Sequence, residues 1–122
     1  MEKKLLGRWG EEQAARYLEK KKFRIIGINY TCRFGEIDII AENRRYVVFV
    51  EVKLRKSDRF AAAREFVTTA KRERLIATAQ LWLQANAGDK QPRFDVVEVY
   101  APEGMEGPIH INHIENAFEV NT

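Results

Sequence analysis

Two acids and a lysine mark the centre of the chain. Asp38 closes the run Gly35-Glu36-Ile37-Asp38, and thirteen positions further on stands Glu51-Val52-Lys53. Residues two apart on a strand project from one face, so Glu51 and Lys53 share a side. They interrupt an otherwise apolar strand, where charge is costly to bury unless each group has a partner. If a hairpin returns Asp38 beside Glu51, two hard oxygen donors meet, a set suited to Mg²⁺ or Mn²⁺. The peptide carbonyl of Val52 is a natural additional ligand. Lys53 is cationic and cannot coordinate. It can orient or help deprotonate a water and offset charge on a phosphate oxygen. A plainer reading stays open: Glu51 and Lys53 as a solvent-facing ion pair, and Asp38 as a charge that guards a strand edge.

Those residues need a strand pair to hold them. Residues 36–41 and 45–54 read as two strands, and the short polar Glu42-Asn43-Arg44 predicts a hairpin between them. Val47-Val48-Phe49-Val50 is apolar at both alternating positions, which predicts a central strand covered on both faces. A helix is expected over residues 3–21 and a strand over 23–30. A loop follows at 55–66, then a helix from a Thr68 or Thr69 cap to about Ala87, ended by Gly88. Residues 93–100 read as a fourth strand, 101–108 as a Gly/Pro turn, and 109–115 as a short edge strand. Helical spacing places Glu11 beside Gly7, Ala14 and Ala15, so its carboxylate could face inward. The order predicts an α/β sandwich, a mixed sheet flanked by helices.

Length and composition bound the function. A chain of 122 residues fits one domain, expected to span 1–122, large enough to need no disulfide or structural zinc. The longest apolar run is far short of the roughly 18 residues a membrane-spanning helix requires. No apolar stretch follows Met1-Glu2-Lys3-Lys4, so no secretory signal is expected. The single cysteine, Cys32, excludes an intramolecular disulfide and a Cys-built metal site, and a reducing cytoplasm is the simplest compartment. Charge is polarised: residues 1–74 hold 19 basic and 11 acidic residues, whereas 75–122 hold two basic and seven acidic ones. A basic face suits a polyanion, although it is also an ordinary solvated surface.

Other reactive groups read as structural. His110 and His113 lie three apart and face different ways if extended. Cys32 has no base near it in sequence. Trp9, Trp82, Phe94 and Tyr100 fall at core periodicities. Asp95 and Glu98 lie on opposite faces of the fourth strand, with a structural role expected for Asp95. Glu36 is left as a neighbour of the site or a solvated charge.

The ordered set resembles a known family. Gly10-Glu11, Ala14-Ala15-Arg16-Tyr17-Leu18, Arg33-Phe34-Gly35-Glu36-Ile37-Asp38-Ile39-Ile40-Ala41 and Val48-Phe49-Val50-Glu51-Val52-Lys53 run in sequence. They continue through Ser57-Asp58-Arg59-Phe60, Lys71, Arg93-Phe94-Asp95-Val96-Val97 and Asn116-Ala117-Phe118. This pattern resembles the YraN family of predicted endonucleases, in the PD-(D/E)XK superfamily, and is similar to archaeal Holliday junction resolvases. The resemblance implies a restriction-endonuclease-like fold, Asp38 and Glu51 as ligands of Mg²⁺ or Mn²⁺, Lys53 as catalytic lysine, and Glu11 as a metal-bridging or water-positioning acid. It also implies cleavage of DNA, branched or structured, by a protein that could pair as a homodimer. Ile37 stands where the superfamily name expects proline, and Ala61 where glycine is expected. Arg55, Lys56, Arg59, Arg64, Lys71, Arg72 and Arg74 would hold phosphates, with salt-sensitive affinity. The alternative is a nucleic-acid-binding module that keeps the fold and cleaves little. Acids beside phosphates without a cation argue against it.

Overall fold

Val47, Val48, Phe49 and Val50 are all buried, as a strand covered on both faces must be. The computed structural model describes residues 3–56 and 68–119. Helix α1 (Lys3–Lys20) precedes strands β1 (Arg24–Cys32), β2 (Gly35–Glu42) and β3 (Tyr46–Arg55); helix α2 (Thr69–Ala85), β4 (Gln91–Tyr100) and β5 (His110–Phe118) follow. The five strands form one sheet in the order β1-β2-β3-β4-β5. β3 and β4 run parallel and every other neighbouring pair is antiparallel. The parallel step requires a crossover between β3 and β4, and α2 lies within it. This is the α/β sheet flanked by helices that the element order predicts, and it is consistent with a restriction-endonuclease-like fold.

Alternation along β3 divides the core. Val48 and Val50 join Ala14 and Leu18 of α1, whereas Val47 and Phe49 join Leu75 and Ala79 of α2. The helices therefore cover opposite faces. On α1, Gly10, Ala14 and Leu18 make the buried stripe at four-residue spacing. A Cβ at Gly10 would stand 3.5 Å from the Leu54 side chain, an ordinary packing distance, so α1 lies against the end of β3 at this point. On α2, the Thr68 side chain accepts a hydrogen bond from the Lys71 N–H and caps the helix. The helix ends at Ala85, short of Gly88, because the Asn86 N–H closes on the Trp82 and Leu83 carbonyls. Phe49, Phe94, Phe118 and Trp82 form one run of ring contacts, with Phe94 stacked on Phe118 at 4.7 Å. Core roles for Trp82, Phe94 and Tyr100 follow, and Trp9 packs on the α1 side.

Several element boundaries differ from the sequence expectation, two of them at strand ends held by buried charges. Arg55 is the last residue of β3 and is not part of the loop; it pairs with Tyr100 across the parallel ladder. The final strand runs through Phe118, because Asp95 anchors its far end. The buried Asp95 carboxylate takes two hydrogen bonds from Arg93 at 2.9 Å, one from His113 Nε2 at 2.7 Å and one from the Asn116 N–H at 3.0 Å. Asn116 adopts a positive φ to make its contact, beside the irregularity between Phe94 and Val96. Burial works against the Asp95 charge, but His113, Arg93 and the Asn116 N–H outweigh it and hold its pKa below the ordinary carboxylate value. A carboxylate with a depressed pKa adds stability above its unfolded pKa and loses it as pH falls through the folded one. Asp95→Asn should therefore cost about 2 kcal/mol near neutral pH, the range for a hydrogen-bonded charge. Urea melts of parent and variant should converge only as pH falls through the lowered folded pKa, beneath the ordinary value of about 3.9; a gap that stays constant with pH would assign the loss to packing alone.

Candidate metal and nucleic-acid site

The ladder between β2 and β3 stops at Ile39–Val50. One residue further, the Asp38 carboxylate takes the place of a backbone acceptor and receives the Val52 N–H at 2.8 Å. The two strands part there, which opens a gap between helices that elsewhere lie on opposite faces. Glu11 enters from α1, and its carboxylate lies within 4.8 Å of ligand oxygens of both Glu36 and Asp38. Lys71, in the first turn of α2, reaches Glu51 at 2.6 Å. Gly35, Glu36, Asp38, Glu51, Lys71, Arg74 and Leu75 line one cleft of about 240 Å³. Gly35 has φ +150°, and a Cβ would sit 3.5 Å from the Thr78 hydroxyl. That contact is of ordinary length, and it is the positive φ of the β1–β2 turn that calls for glycine.

The electrostatics are those of crowded acids. Burial pushes the Asp38 pKa up to about 7, and the Glu51, Glu11 and Glu36 charges add to it against the Val52 hydrogen bond. Burial also raises Glu11, with Glu36 and Glu51 contributing, while hydrogen bonds to Asn29 and Asp38 oppose the rise. Glu51 is buried and shares one oxygen between Lys71 at 2.6 Å and Lys53 at 3.3 Å. Desolvation and the neighbouring Lys71 lower the Lys53 pKa, and Glu51 only partly restores it. At Lys71 desolvation pulls the same way, but the Glu51 hydrogen bond wins and raises its pKa.

The four residues Glu11, Asp38, Glu51 and Lys53 are thus brought together, in two subgroups. Glu11 and Asp38 join Glu36, which sequence reasoning left as a neighbour or a solvated charge, whereas Glu51 is held by lysines. Alternation signalled Glu36, since it is two residues from Asp38 on the same strand. Lys71 lies twenty positions beyond Glu51, across a segment that no periodicity bridges. The Val52 N–H faces Asp38, and the N–H and C=O of one strand residue point the same way, so its carbonyl faces the gap.

Among the basic residues, Lys56 and Arg74 are exposed, and Arg74 borders the cleft. Arg72 stacks its guanidinium 5.7 Å from the Phe118 ring. Arg55 is half-buried, 4.0 Å from the fully buried Glu98, which Asn112 also holds at 2.9 Å. Arg59, Arg64 and Ala61 lie outside the described residues. A larger cleft of about 880 Å³ opens at the other end of β3 and β4, around Arg45, Gln91 and Arg93. Arg93 is already committed to Asp95 there. Among the described residues, no helix is long and apolar enough to cross a membrane.

The class is therefore an α/β protein of restriction-endonuclease-like fold, with carboxylates and lysines gathered where two strands part. The model of the uncharacterised protein family UPF0102 matches residues 10–99, and the chain belongs to that family, the YraN family of the sequence resemblance. UPF0102 protein TTE1452 of Caldanaerobacter subterraneus subsp. tengcongensis is 42% identical over 117 residues, 95% of this chain and 96% of the relative. UPF0102 protein NE0719 of Nitrosomonas europaea is 44% identical over 109 residues, 89% of each chain. UPF0102 protein VP0448 of Vibrio parahaemolyticus is 42% identical over 117 residues, 94% of this chain and 93% of the relative.

Proposed function

We propose that this protein is a divalent-cation-dependent nuclease that hydrolyses phosphodiester bonds in DNA, branched or otherwise structured. One observation carries the reading: Glu11, Glu36 and Asp38, from two separate elements, converge within 4.8 Å, and burial among them pushes Asp38 up to about 7. A fold gains little from crowding three carboxylates, two of them partly buried, unless a cation offsets them. The donors are all oxygen, which fits Mg²⁺ or Mn²⁺ over softer metals.

Asp38, with Glu36, Glu11, Glu51 and the Val52 carbonyl, would hold the ion. Bound there, it would supply a water of lowered pKa and charge stabilisation at phosphorus. Lys53 orients the attacking water, and desolvation with the neighbouring Lys71 lowers its pKa from the ordinary lysine value, which eases proton exchange with that water. Lys56, Lys71, Arg72 and Arg74 steer the phosphate backbone, and the sequence adds Arg55, Arg59 and Arg64 to that role. The compartment in this reading is the cytoplasm, and a homodimer would present two such clefts to a branched substrate.

Calorimetric titration with Mn²⁺ tests the site. The parent should bind, and Asp38→Asn should weaken binding at least about tenfold, the loss of one charged ligand being worth 1.4 kcal/mol or more. Equal binding by parent and variant overturns the ligand assignment. Cleavage is then assayed on junctions, flaps, single strands and RNA with Mg²⁺ or Mn²⁺. A protein that binds DNA tightly and cuts none of them is the binding module instead.

A further inference from the structure

We propose that Lys71 is a built-in counter-ion for Glu51 that leaves when the divalent cation binds and moves to the DNA phosphate. The inference rests on the nuclease reading and adds to it an order of events. Glu51 is buried, and two ammonium groups, Lys71 at 2.6 Å and Lys53 at 3.3 Å, converge on its single oxygen Oε1. A divalent ion reaching Glu51 would be a third positive group on that carboxylate, and one of the lysines must give way.

The geometry selects Lys71. Lys53 springs from β3 two residues from Glu51, on the same face, so its ammonium stays near that carboxylate. Lys71 arrives from the other side of the cleft on a long flexible stem, and its side chain keeps 30% of its surface exposed. Its place on the helix points the same way. The first turn of α2 holds no acid but carries Lys71 and Arg72, where the positive end of the helix dipole disfavours cations. A lysine there gains nothing for the helix, and its compensation comes from Glu51. Once released, the ammonium remains in the cleft that Asp38, Glu36 and Arg74 line, where a phosphate beside the cation would meet it. Metal and DNA binding should therefore reinforce each other through Lys71, and the coupling must be reciprocal.

The test is a double-mutant cycle on Mn²⁺ affinity, measured by calorimetry on parent, Lys71→Met, Glu51→Gln and the double variant. Removing a competing ion pair should tighten Mn²⁺ binding by about fivefold, the order expected of a partly buried pair. That gain should vanish in the Glu51→Gln background. In Ca²⁺, the ion-dependent gain in affinity for a DNA junction should shrink by a similar factor in Lys71→Met. On the parent itself, acetic anhydride labelling of Lys71, read by mass spectrometry, should accelerate several-fold when Ca²⁺ is added. This keeps the test open should Lys71→Met fail to fold. Unchanged or weaker Mn²⁺ binding in a folded Lys71→Met, a gain that survives Glu51→Gln, or labelling insensitive to Ca²⁺ overturns the proposal. If the parent binds Mn²⁺ and Asp38→Asn does not, such a failure falls on Lys71 alone. If the parent binds no divalent ion, the nuclease reading and this inference fall together.

Discussion

Lys53→Ala should cut Mn²⁺-supported cleavage of branched DNA about a hundredfold while binding in Ca²⁺ stays within about twofold, because a transition-state charge contact is worth about 3 kcal/mol. The separation follows from where the lysine stands. Lys53 lies 3.3 Å from Glu51 on the same strand, and its side chain is only 22% exposed. That position favours the reacting phosphate over the long duplex approach. Exposed Arg74, at the rim, should behave in reverse: Arg74→Ala weakens binding and lowers the salt slope by about 0.9, with turnover kept at saturating substrate. A parent-like rate in Lys53→Ala would remove this lysine from the chemistry without removing the cation site. A pH–rate profile adds a second readout. Desolvation and Lys71 lower the Lys53 pKa, so the alkaline limb should bend below the ordinary lysine range, and Lys53→Ala should erase that bend.

Much of this site could be read from the chain because strand periodicity is short and local. Val47 to Val50 announced a doubly covered strand, and Glu51 and Lys53 had to lie at its end on one face. Asp38 followed from the hairpin, which the short Glu42-Asn43-Arg44 turn enforces. What escaped depends on contacts between distant segments. The Glu51–Lys71 pair spans twenty positions, and nothing in the helix pattern marks Lys71 as inward; it read as one more phosphate contact. Glu36 was ambiguous because an acid beside a turn is usually solvated, and only the approach of α1 gives it Glu11 as a neighbour. The length of β5 was hidden because a buried anchor, Asp95 with His113 and Asn116, extends it past the apolar pattern. The half-burial of Arg55 was hidden likewise, since Glu98 reaches it from the neighbouring strand.

Asp38→Asn should make the metal-free protein more stable at pH 8 and leave it unchanged near pH 4. The sign comes from the raised carboxyl. Between its ordinary value and about 7, folded Asp38 keeps a proton that the unfolded chain has lost. Stability therefore falls as pH rises through that window, and the full cost is present above it, at most about 4 kcal/mol. Asparagine removes the charge but keeps an oxygen to accept the Val52 N–H, so the strand contact survives. The expected gain at pH 8 is about 5–10 °C in Tm by calorimetry or circular dichroism. Divalent cation should narrow the gap: Mn²⁺ at a hundred times the parent's Kd raises the parent by about 2.7 kcal/mol, and a variant that binds at least tenfold more weakly by no more than about 1.4 kcal/mol. Binding must also expel the Asp38 proton below about pH 7, so the heat of Mn²⁺ binding should depend on the ionisation enthalpy of the buffer near pH 6 and lose that dependence near pH 8. A variant that is less stable than the parent at both pH values would mean that Asp38 holds β2 to β3 as a structural acceptor. The cluster would then owe its crowding to the fold, with no cation required.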